Sequence, residues 1–223
     1  MKNDKAELEN RVPARKPSDK APANLFLLHR LPIRDEESDD LNVVIETPKG
    51  SRNKFDYDER GFFKLGGVLP AGAVFPFDFG FVPSTLGEDG DPLDVLLLMD
   101  EPAFAGCVIT ARLIGAIEAE QTERDGDTMR NDRLIAIAAN SHTHGEVRSL
   151  DDLGENLLDE IEHFFVSYNA VKGKQFAPQG RLDSKRADAL VKAGAQLLRR
   201  QQNGAKSSAK SAIAKSKSRR AKN

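Results

Sequence analysis

The sequence predicts an α+β fold with short strands first and two helices last, most simply a small closed β-barrel with the helices packed on it. Two observations support this prediction. Between residues 41 and 138, apolar and β-branched runs alternate with Gly, Pro and acidic turns, as strands do. From residue 151 onward, apolar residues recur at helical spacing. At 223 residues, the chain is long enough for one well-buried domain with tails.

The composition says more about the cellular compartment of the protein than about its functional class. The net charge of −2 includes nine basic residues between positions 199 and 223, which leaves −11 for residues 1–198. An acidic body is typical of proteins that bind divalent cations. The single Cys107 excludes an internal disulfide framework and favours a reducing compartment. No apolar stretch reaches transmembrane length and no signal-peptide core is present, so we expect a cytoplasmic protein without membrane contact.

We predict three segments along the chain. Residues 1–22 mix charged residues, Ala and Pro without apolar periodicity, which predicts a disordered tail. Residues 23–202 are predicted to form the folded domain. Residues 203–223 are low-complexity Ala, Lys and Ser repeats, which predict a second disordered tail. For this basic tail we expect either weak, salt-sensitive contact with polyanions or a solubilising role without a partner.

Within the domain, β-branched and apolar runs predict the strands, and an apolar stripe predicts the helices. The apolar stretch 24–31 is expected to pack on the domain, and 120–131 is expected to be a charged loop. The predicted strands are 41–47, 55–57, 62–69, 73–82, 95–99, 107–118 and 134–138. The predicted helices are 155–171 and 183–201, the second with Asp183 or Ser184 as its N-cap.

A group of three carboxylates carries the main functional signal. Asp89, Asp91 and Asp94 lie within six residues, directly before the apolar run 95–99. That unbroken run predicts a buried strand. Carboxylates crowded at its start repel one another unless a cation lies between them. Hard divalent ions such as Mg²⁺ take oxygen ligands and leave room for phosphate oxygens. An EF-hand loop is excluded because Leu93 occupies a ligand position.

Two other motifs are weaker. The basic turn 49–54 lacks the Gly and Ser/Thr spacing of a P-loop, and on its own it is typical of a solvated hairpin loop. His142 and His144 lie on a polar stretch without a Cys partner, so solvated side chains are more typical there than zinc ligands.

The run DGDPLDV, residues 89–95, matches at each position the signature of the family I soluble inorganic pyrophosphatases. Other segments follow the order of that family, and the resemblance covers roughly residues 40 to 180. They are the strand ending at Glu46, the Lys54-Phe55-Asp56 segment, Phe75-Pro76 with Phe79-Gly80-Phe81, and His163 to Lys174. The resemblance implies a five-stranded barrel of the oligonucleotide-binding type and Mg²⁺-dependent hydrolysis of pyrophosphate. It also implies homo-oligomerisation, with a hexamer in many bacterial members.

The resemblance also implies roles for individual residues. Asp89 and Asp94 are expected to hold the first metal ions, and Asp91 to act as general base toward the attacking, metal-activated water. Glu46 is expected to hold further Mg²⁺ together with the substrate. The implied contacts to the substrate are Lys54, Asp56, Arg133 and Tyr168.

One segment can be aligned with the family in two ways. The family has a metal-binding Asp followed two positions later by a Lys. Alignment without gaps puts Asn131 in the Asp place and Arg133 in the Lys place, whereas a slip of one residue makes Asp132 the metal ligand, which is the assignment we predict. The preceding loop is longer here, so its equivalent acid is either Glu123 or Asp125.

Several groups that hold phosphate in the family that this sequence resembles are replaced here by other residues. Phe75 and Phe79 stand in place of two active-site tyrosines, and Gly67 stands where a phosphate-binding Arg is expected. Lys64 and Arg52 are two candidates to replace that Arg.

Two functional hypotheses follow. The first is an active, Mg²⁺-dependent inorganic pyrophosphatase. The second is a catalytically weakened barrel that binds polyphosphate or nucleic acid without hydrolysing it, as the missing Arg and Tyr groups and the basic tail would allow. A nucleic-acid-binding barrel usually offers aromatic stacking platforms in a positive groove. This chain has no Trp, only two Tyr and an acidic body, which favours the first hypothesis.

Overall fold

The structure is a computed structural model that describes residues 27–58 and 60–220, with side chains described as far as Gly204. The predicted tail at residues 1–22 lies outside the described residues. Within them the chain forms nine strands: β1 Leu41–Thr47, β2 Asn53–Tyr57, β3 Phe63–Val68, β4 Asp78–Phe81, β5 Asp94–Leu98, β6 Val108–Thr122, β7 Thr128–Arg130, β8 Arg133–Ala138 and β9 Gln175–Asp183. The α-helices are α1 Glu155–Val171 and α2 Ser184–Arg220, and short 3₁₀ helices cover Leu28–Arg30 and Leu150–Leu153.

Five strands form a closed ring, which confirms the predicted fold class. Around the ring the order is β1, β4, β5, β8 and β6, and β6 pairs with β1 to close it. The ring pairings are antiparallel except that between β5 and β8, which is parallel. The long strand β6 also pairs with β7 and β9, and β2 and β3 form a separate hairpin.

Strands β1, β4, β5 and β8 of the ring are almost entirely buried, which explains their continuous apolar runs. Alternate residues of β5 and β8 belong to two different apolar clusters. Leu96 and Ile135 share the first cluster with Phe165 of α1, whereas Val95 and Leu134 share the second with residues of α2. Because successive side chains of a strand point to opposite faces, α1 and α2 pack against opposite faces of these strands.

One glycine is required for the ring to close. A Cβ atom at Gly80 of β4 would lie 1.9 Å from the carbonyl oxygen of Val44 in β1. Only a residue without a side chain allows the two backbones to approach this closely and pair.

Three segments differ from the sequence prediction. The predicted strand 73–82 is reduced to β4, since Pro76 cannot donate a hydrogen bond to a neighbouring strand. The predicted charged loop 120–131 contains the end of β6 and the strand β7, which form a hairpin. Strand β9 was not predicted, because Pro178 and Gly180 interrupt its pattern; a β-bulge opposite them accommodates the irregularity.

The C-terminal helix also differs from the prediction. A disordered tail was predicted from residue 203, whereas α2 continues to Arg220. Ala, Lys and Arg make up just over half of residues 203–220 and favour helix, although Ser is the commonest single residue there. In the described part of the chain, no helix is both long enough and apolar enough to span a membrane.

Candidate active site

A pocket of about 850 Å³ opens where the loop before β5, the end of β1, strand β2 and helix α1 meet. Eight of the nine site residues predicted from the sequence line this pocket, although they belong to elements far apart in the chain. They are Glu46, Lys54, Asp56, Asp89, Asp91, Asp94, Arg133 and Tyr168. Asp132 is the one predicted residue that does not line it.

Lys54 is a buried cation held between two carboxylates. Its ammonium lies 3.0 Å from Glu46 and 2.9 Å from Asp56, and 5.0 Å from the centre of the Phe79 ring. Burial would lower the pKa of Lys54, but the carboxylates of Glu46 and Asp56 raise it above its usual value. Lys54 therefore stays cationic at the floor of the pocket, and its third donor makes a 2.8 Å hydrogen bond to the carbonyl of Phe55, so it would have to exchange one of these contacts to bind an anion.

Glu46 of β1 is held by two contacts from β2, one of them the contact with Lys54. Its second oxygen accepts a 2.8 Å hydrogen bond from the backbone amide of Tyr57. Burial raises the pKa of the Glu46 carboxyl, whereas the ammonium of Lys54 and this amide act in the opposite direction. The carboxylate is thus oriented by bonds at both of its oxygens.

Asp89 and Asp91 share one tight loop before β5. The backbone amide of Asp91 donates a 3.1 Å hydrogen bond to Asp89, and Gly90 between them has a φ of 89°, which favours glycine. Burial and the nearby charge of Asp94 raise the pKa of Asp89 to about 6. Protein atoms crowded around the carboxylate and the charge of Asp94 also raise the pKa of Asp91, although the residue as a whole is exposed. The loop therefore holds carboxylates that a cation would stabilise.

Asp94 and Arg133 form a pair at the start of two adjacent strands. Nη1 of Arg133 lies 2.5 Å from Oδ2 of Asp94, and the guanidinium packs on the rings of Phe165 and Phe176. The Nε atom of Arg133 is buried and has no hydrogen-bond partner among the described residues. Arg133 therefore retains a donor that none of the described residues satisfies.

Asp132 is turned away from the pocket. It accepts a 3.0 Å hydrogen bond from the backbone amide of Ala119 and pairs with Arg130 at 2.6 Å. Its neighbour Asn131 lines the pocket instead, accepts a hydrogen bond from Arg133 and donates one to Gln121. In β8 and the residues before it, alternate side chains point to opposite sides, so only one of the two neighbours can face the pocket.

The replaced phosphate-binding groups are in different surroundings. Phe79 lines the pocket, whereas Phe75 is buried in the aromatic cluster behind it. The two candidates for the missing Arg do not line the pocket. Lys64 pairs with Asp58 at 2.5 Å, and Arg52 donates to a backbone carbonyl at 2.9 Å.

Two lysines after α1 belong to the pocket, although the sequence prediction did not assign them a role. Lys172 donates a hydrogen bond to the hydroxyl of Tyr168, and Lys174 pairs with Glu123 at 2.7 Å. Burial raises the pKa of Tyr168 to about 12, and burial together with the ammonium of Lys54 lowers that of Lys172. The Lys-Gly-Lys sequence after a predicted helix was the available signal.

The carboxylates are paired with the protein's own cations rather than gathered around one point. Throughout the described ranges, no three carboxylate, imidazole or thiolate groups converge to hold a metal ion. Asp94 is bonded to Arg133, and Glu46 to Lys54. The donors nevertheless fit a hard divalent cation, because all are carboxylate oxygens in one pocket and Asp89 and Asp91 have raised pKa values.

Comparison with known proteins agrees with this geometry. The inorganic pyrophosphatase family matches residues 43–199. The inorganic pyrophosphatase of Thermus thermophilus is 39% identical over 170 residues, which are 74% of this chain and 94% of that protein. That of Synechocystis is 43% identical over 135 residues, 60% of this chain and 77% of that protein. A crystal structure of the Thermus thermophilus inorganic pyrophosphatase superposes with a TM-score of 0.70 at 36% identity, over 77% of this chain and 98% of that chain. With the acidic loop, the closed ring and the family match all in agreement, the chain belongs to the inorganic pyrophosphatase family.

Proposed function

We propose that this chain hydrolyses inorganic pyrophosphate to two orthophosphates in the pocket described above, with Mg²⁺ as cofactor. The main support is the convergence of predicted acidic and basic groups on one pocket. The substrate carries several negative charges, and water does not attack it until cations neutralise them. A pocket with carboxylates for metal ions on one side and Lys, Arg and Tyr groups on the other meets this need.

Asp89, Asp94 and Glu46 would hold Mg²⁺. When bound, the ion neutralises charge on the phosphoryl oxygens and makes water a better nucleophile. Occupation of the site requires Asp94 and Glu46 to exchange the cations that they now contact for the metal. Asp132 has no part in this proposal, because its carboxylate is used by Ala119 and Arg130.

The remaining roles belong to the chain's own side chains. Asp91 lines the pocket, is exposed and has a raised pKa, so it is suited to accept a proton from the attacking water. Lys54, Arg133 and Tyr168 are placed to hold phosphate oxygens, and Lys174 and Lys172 add positive charge at the rim. Asp56 orients Lys54 through its 2.9 Å contact.

The assay is direct. Purified full-length protein should release orthophosphate from pyrophosphate in Mg²⁺ buffer, and EDTA should stop the release until Mg²⁺ is restored in excess. Absence of turnover in a folded, Mg²⁺-saturated sample would contradict the proposal. In that case, binding of pyrophosphate without hydrolysis would support the second hypothesis, a phosphate-binding module. The three phenylalanines that line the pocket, Phe79, Phe81 and Phe165, are all buried and so are not presented for base stacking, which disfavours nucleic acid.

We also propose that the protein is a cytoplasmic homo-oligomer. Several large apolar side chains near the β2–β3 hairpin are exposed, and such side chains are common at protein interfaces. They include Phe62, Leu65, Val68 and Phe104, of which Phe104 is 69% exposed. Light scattering after size exclusion should give a mass that is a multiple of 24.5 kDa; a monomeric mass at micromolar concentration would refute this proposal.

For the basic residues after 203, we propose weak polyanion contact and no catalytic role, so removal of residues 203–223 should leave turnover unchanged.

A further inference from the structure

The substrate pocket extends beyond the part of the chain that matches the family. The family match covers residues 43–199, yet residues before and after it line the pocket. Leu27, His29 and Arg30 line it from the N-terminal side, and Gln201 and Gln202 from α2. This wall is therefore supplied by segments outside the matched region.

A second groove of about 540 Å³ adjoins this wall. It lies between residues 30–34 and α2, and it shares Arg30 and Ser84 with the substrate pocket. Its charged lining residues are Arg30, Arg34, Lys192 and Arg199, and no carboxylate is among the described residues that line it. Asp188 pairs with both Arg34 and Lys192 from outside the lining. Even with that carboxylate counted, the groove is positive, whereas residues 1–198 as a whole carry −11.

Arg30 has a fixed backbone, and its guanidinium has no partner among the residues that the structure describes. Leu28 donates a 3.0 Å hydrogen bond to the hydroxyl of Tyr57, and Ser84 bonds the carbonyls of His29 and Leu31, each at 2.8 Å. The chain is thus anchored on both sides of Arg30. Among the described residues, no hydrogen bond or ion pair of the Arg30 side chain is present, and the residue is exposed. A guanidinium held at the junction of two anion-accepting spaces is well suited to bind phosphate oxygens.

We propose that Arg30 and the adjoining groove form a phosphate subsite that receives the distal phosphate of a linear phosphoanhydride longer than pyrophosphate. The inference rests on the proposed function, because the terminal phosphoanhydride of the longer substrate would occupy the substrate pocket. The next phosphate then passes Arg30, where pocket and groove meet, and its oxygens are neutralised by Arg30 and Arg199. The ligand class is inorganic tripolyphosphate and longer linear polyphosphates.

The test measures binding rather than turnover, so it does not depend on catalysis. The methylene-bridged, non-hydrolysable analogues of tripolyphosphate and pyrophosphate, and orthophosphate itself, are titrated calorimetrically into the Mg²⁺-loaded full-length protein at low ionic strength, where exposed charges are least screened. The two analogues are called tripolyphosphate and pyrophosphate below. The variants are Arg30→Gln and Arg199→Gln, which remove one charge from each side of the groove. The matched control is Arg186→Gln, which removes an exposed charge from the same helix but lines neither pocket nor groove.

We expect each groove variant to weaken tripolyphosphate binding by about tenfold or more, since hydrogen bonds to charged groups are worth about 1.5–3 kcal/mol. Pyrophosphate binding should change less than threefold, and Arg186→Gln should change neither. Equal tripolyphosphate affinity in wild type and both groove variants would overturn the proposal. An equal loss of orthophosphate and tripolyphosphate binding would also overturn it, because the groove would then hold a free phosphate rather than a continuous chain. If Mg²⁺-dependent hydrolysis were absent but this binding pattern present, the proposed function would fail while the subsite remained supported.

Discussion

Oδ2 of Asp94 accepts a 2.5 Å hydrogen bond from Nη1 of Arg133, and this contact joins the first residue of β5 to the first residue of β8. The two strands are parallel, with Val95 opposite Leu134, so both begin at the same edge of the ring. The carboxylate that we propose for the metal and the cation that we propose for the phosphate are therefore brought together by the one parallel pairing in the ring.

Asp94→Asn is expected to lower kcat by ~10² to 10³, the usual cost of one preorganised electrostatic group. The amide retains an oxygen for Arg133 but loses the charge that would hold a metal ion. Orthophosphate release at saturating Mg²⁺ measures the effect, with urea unfolding to verify that the variant is folded. Asp151→Asn, an exposed carboxylate outside the pocket, is the matched control. Unchanged turnover in Asp94→Asn would refute the metal site.

Asp132→Asn is expected to reduce stability but to leave kcat and KM within about twofold, since the side chain bonds Ala119 and Arg130 outside the pocket. Asn131→Ala should instead impair turnover, because Asn131 lines the pocket and orients Arg133. Steady-state kinetics and urea midpoints of both variants test the assignment. The opposite result, with Asp132→Asn inactive and Asn131→Ala normal, would restore Asp132 as the metal ligand.

Gly67→Arg is expected to lower KM by about tenfold at steady kcat, because a contact from a charged donor is worth about 1.5–3 kcal/mol. Gly67 lies directly opposite Lys54 in the β2–β3 pair, so a side chain there would point to the same face as Lys54. A Cβ atom at Gly67 would meet nothing within 4 Å. Gly180→Arg on β9, where a Cβ atom is equally unobstructed, adds the same charge outside the pocket and should not change KM.

Phe79→Tyr should have a smaller effect on KM than Gly67→Arg. A neutral hydrogen bond is worth about 0.5–1.5 kcal/mol, which corresponds to roughly two- to tenfold. Phe79 lines the pocket beside Lys54, so an added hydroxyl can reach the substrate. Michaelis constants for pyrophosphate measure the change. If KM stayed constant in both Gly67→Arg and Phe79→Tyr, the proposed position of the substrate phosphate beside Lys54 would be wrong.

Stability at acid pH is expected to depend on Asp100. Its pKa is lowered by hydrogen bonds from the side chain of Thr143 and the backbone amides of His142 and Thr143. A folded-state pKa below the unfolded value of about 3.9 gives stability that is present above that value and lost as pH falls. Asp100→Asn should therefore have a lower urea midpoint than wild type at pH 7, and the difference should shrink toward pH 3. A constant difference across this range would exclude the carboxylate charge as its cause.

The two histidines noted in the sequence lie close to Asp100. His142 and His144 lie on the turn that Asp100 organises, and they line neither the substrate pocket nor the adjoining groove. His142 is exposed, whereas His144 is partly buried and its Nδ1 lies 3.4 Å from the hydroxyl oxygen of Ser141. That these histidines do not bind zinc stays a prediction.

The carboxylate site was predictable because its signal is local. Asp89, Asp91 and Asp94 are close in sequence, and the apolar run after them has the pattern of a strand buried on both faces. Arg30 and Gln202 could not be predicted as pocket residues, since nothing in their own segments indicates where α2 and the N-terminal segment meet the ring. The choice between Asn131 and Asp132 also needed coordinates, because a shift of one residue reverses which side chain faces the pocket.

The closure of the ring by β1 and β6 has a consequence for folding kinetics. Strands β2 to β5 lie between these two partners in the chain, and β6 also has to receive β7, β8 and β9. During synthesis, β1 therefore emerges long before the strand that completes its pairing, and its free edge stays available to other chains. Contacts between residues distant in sequence slow folding. Refolding from urea should accordingly be much slower than for a helical bundle of this size, and more aggregation-prone as protein concentration rises.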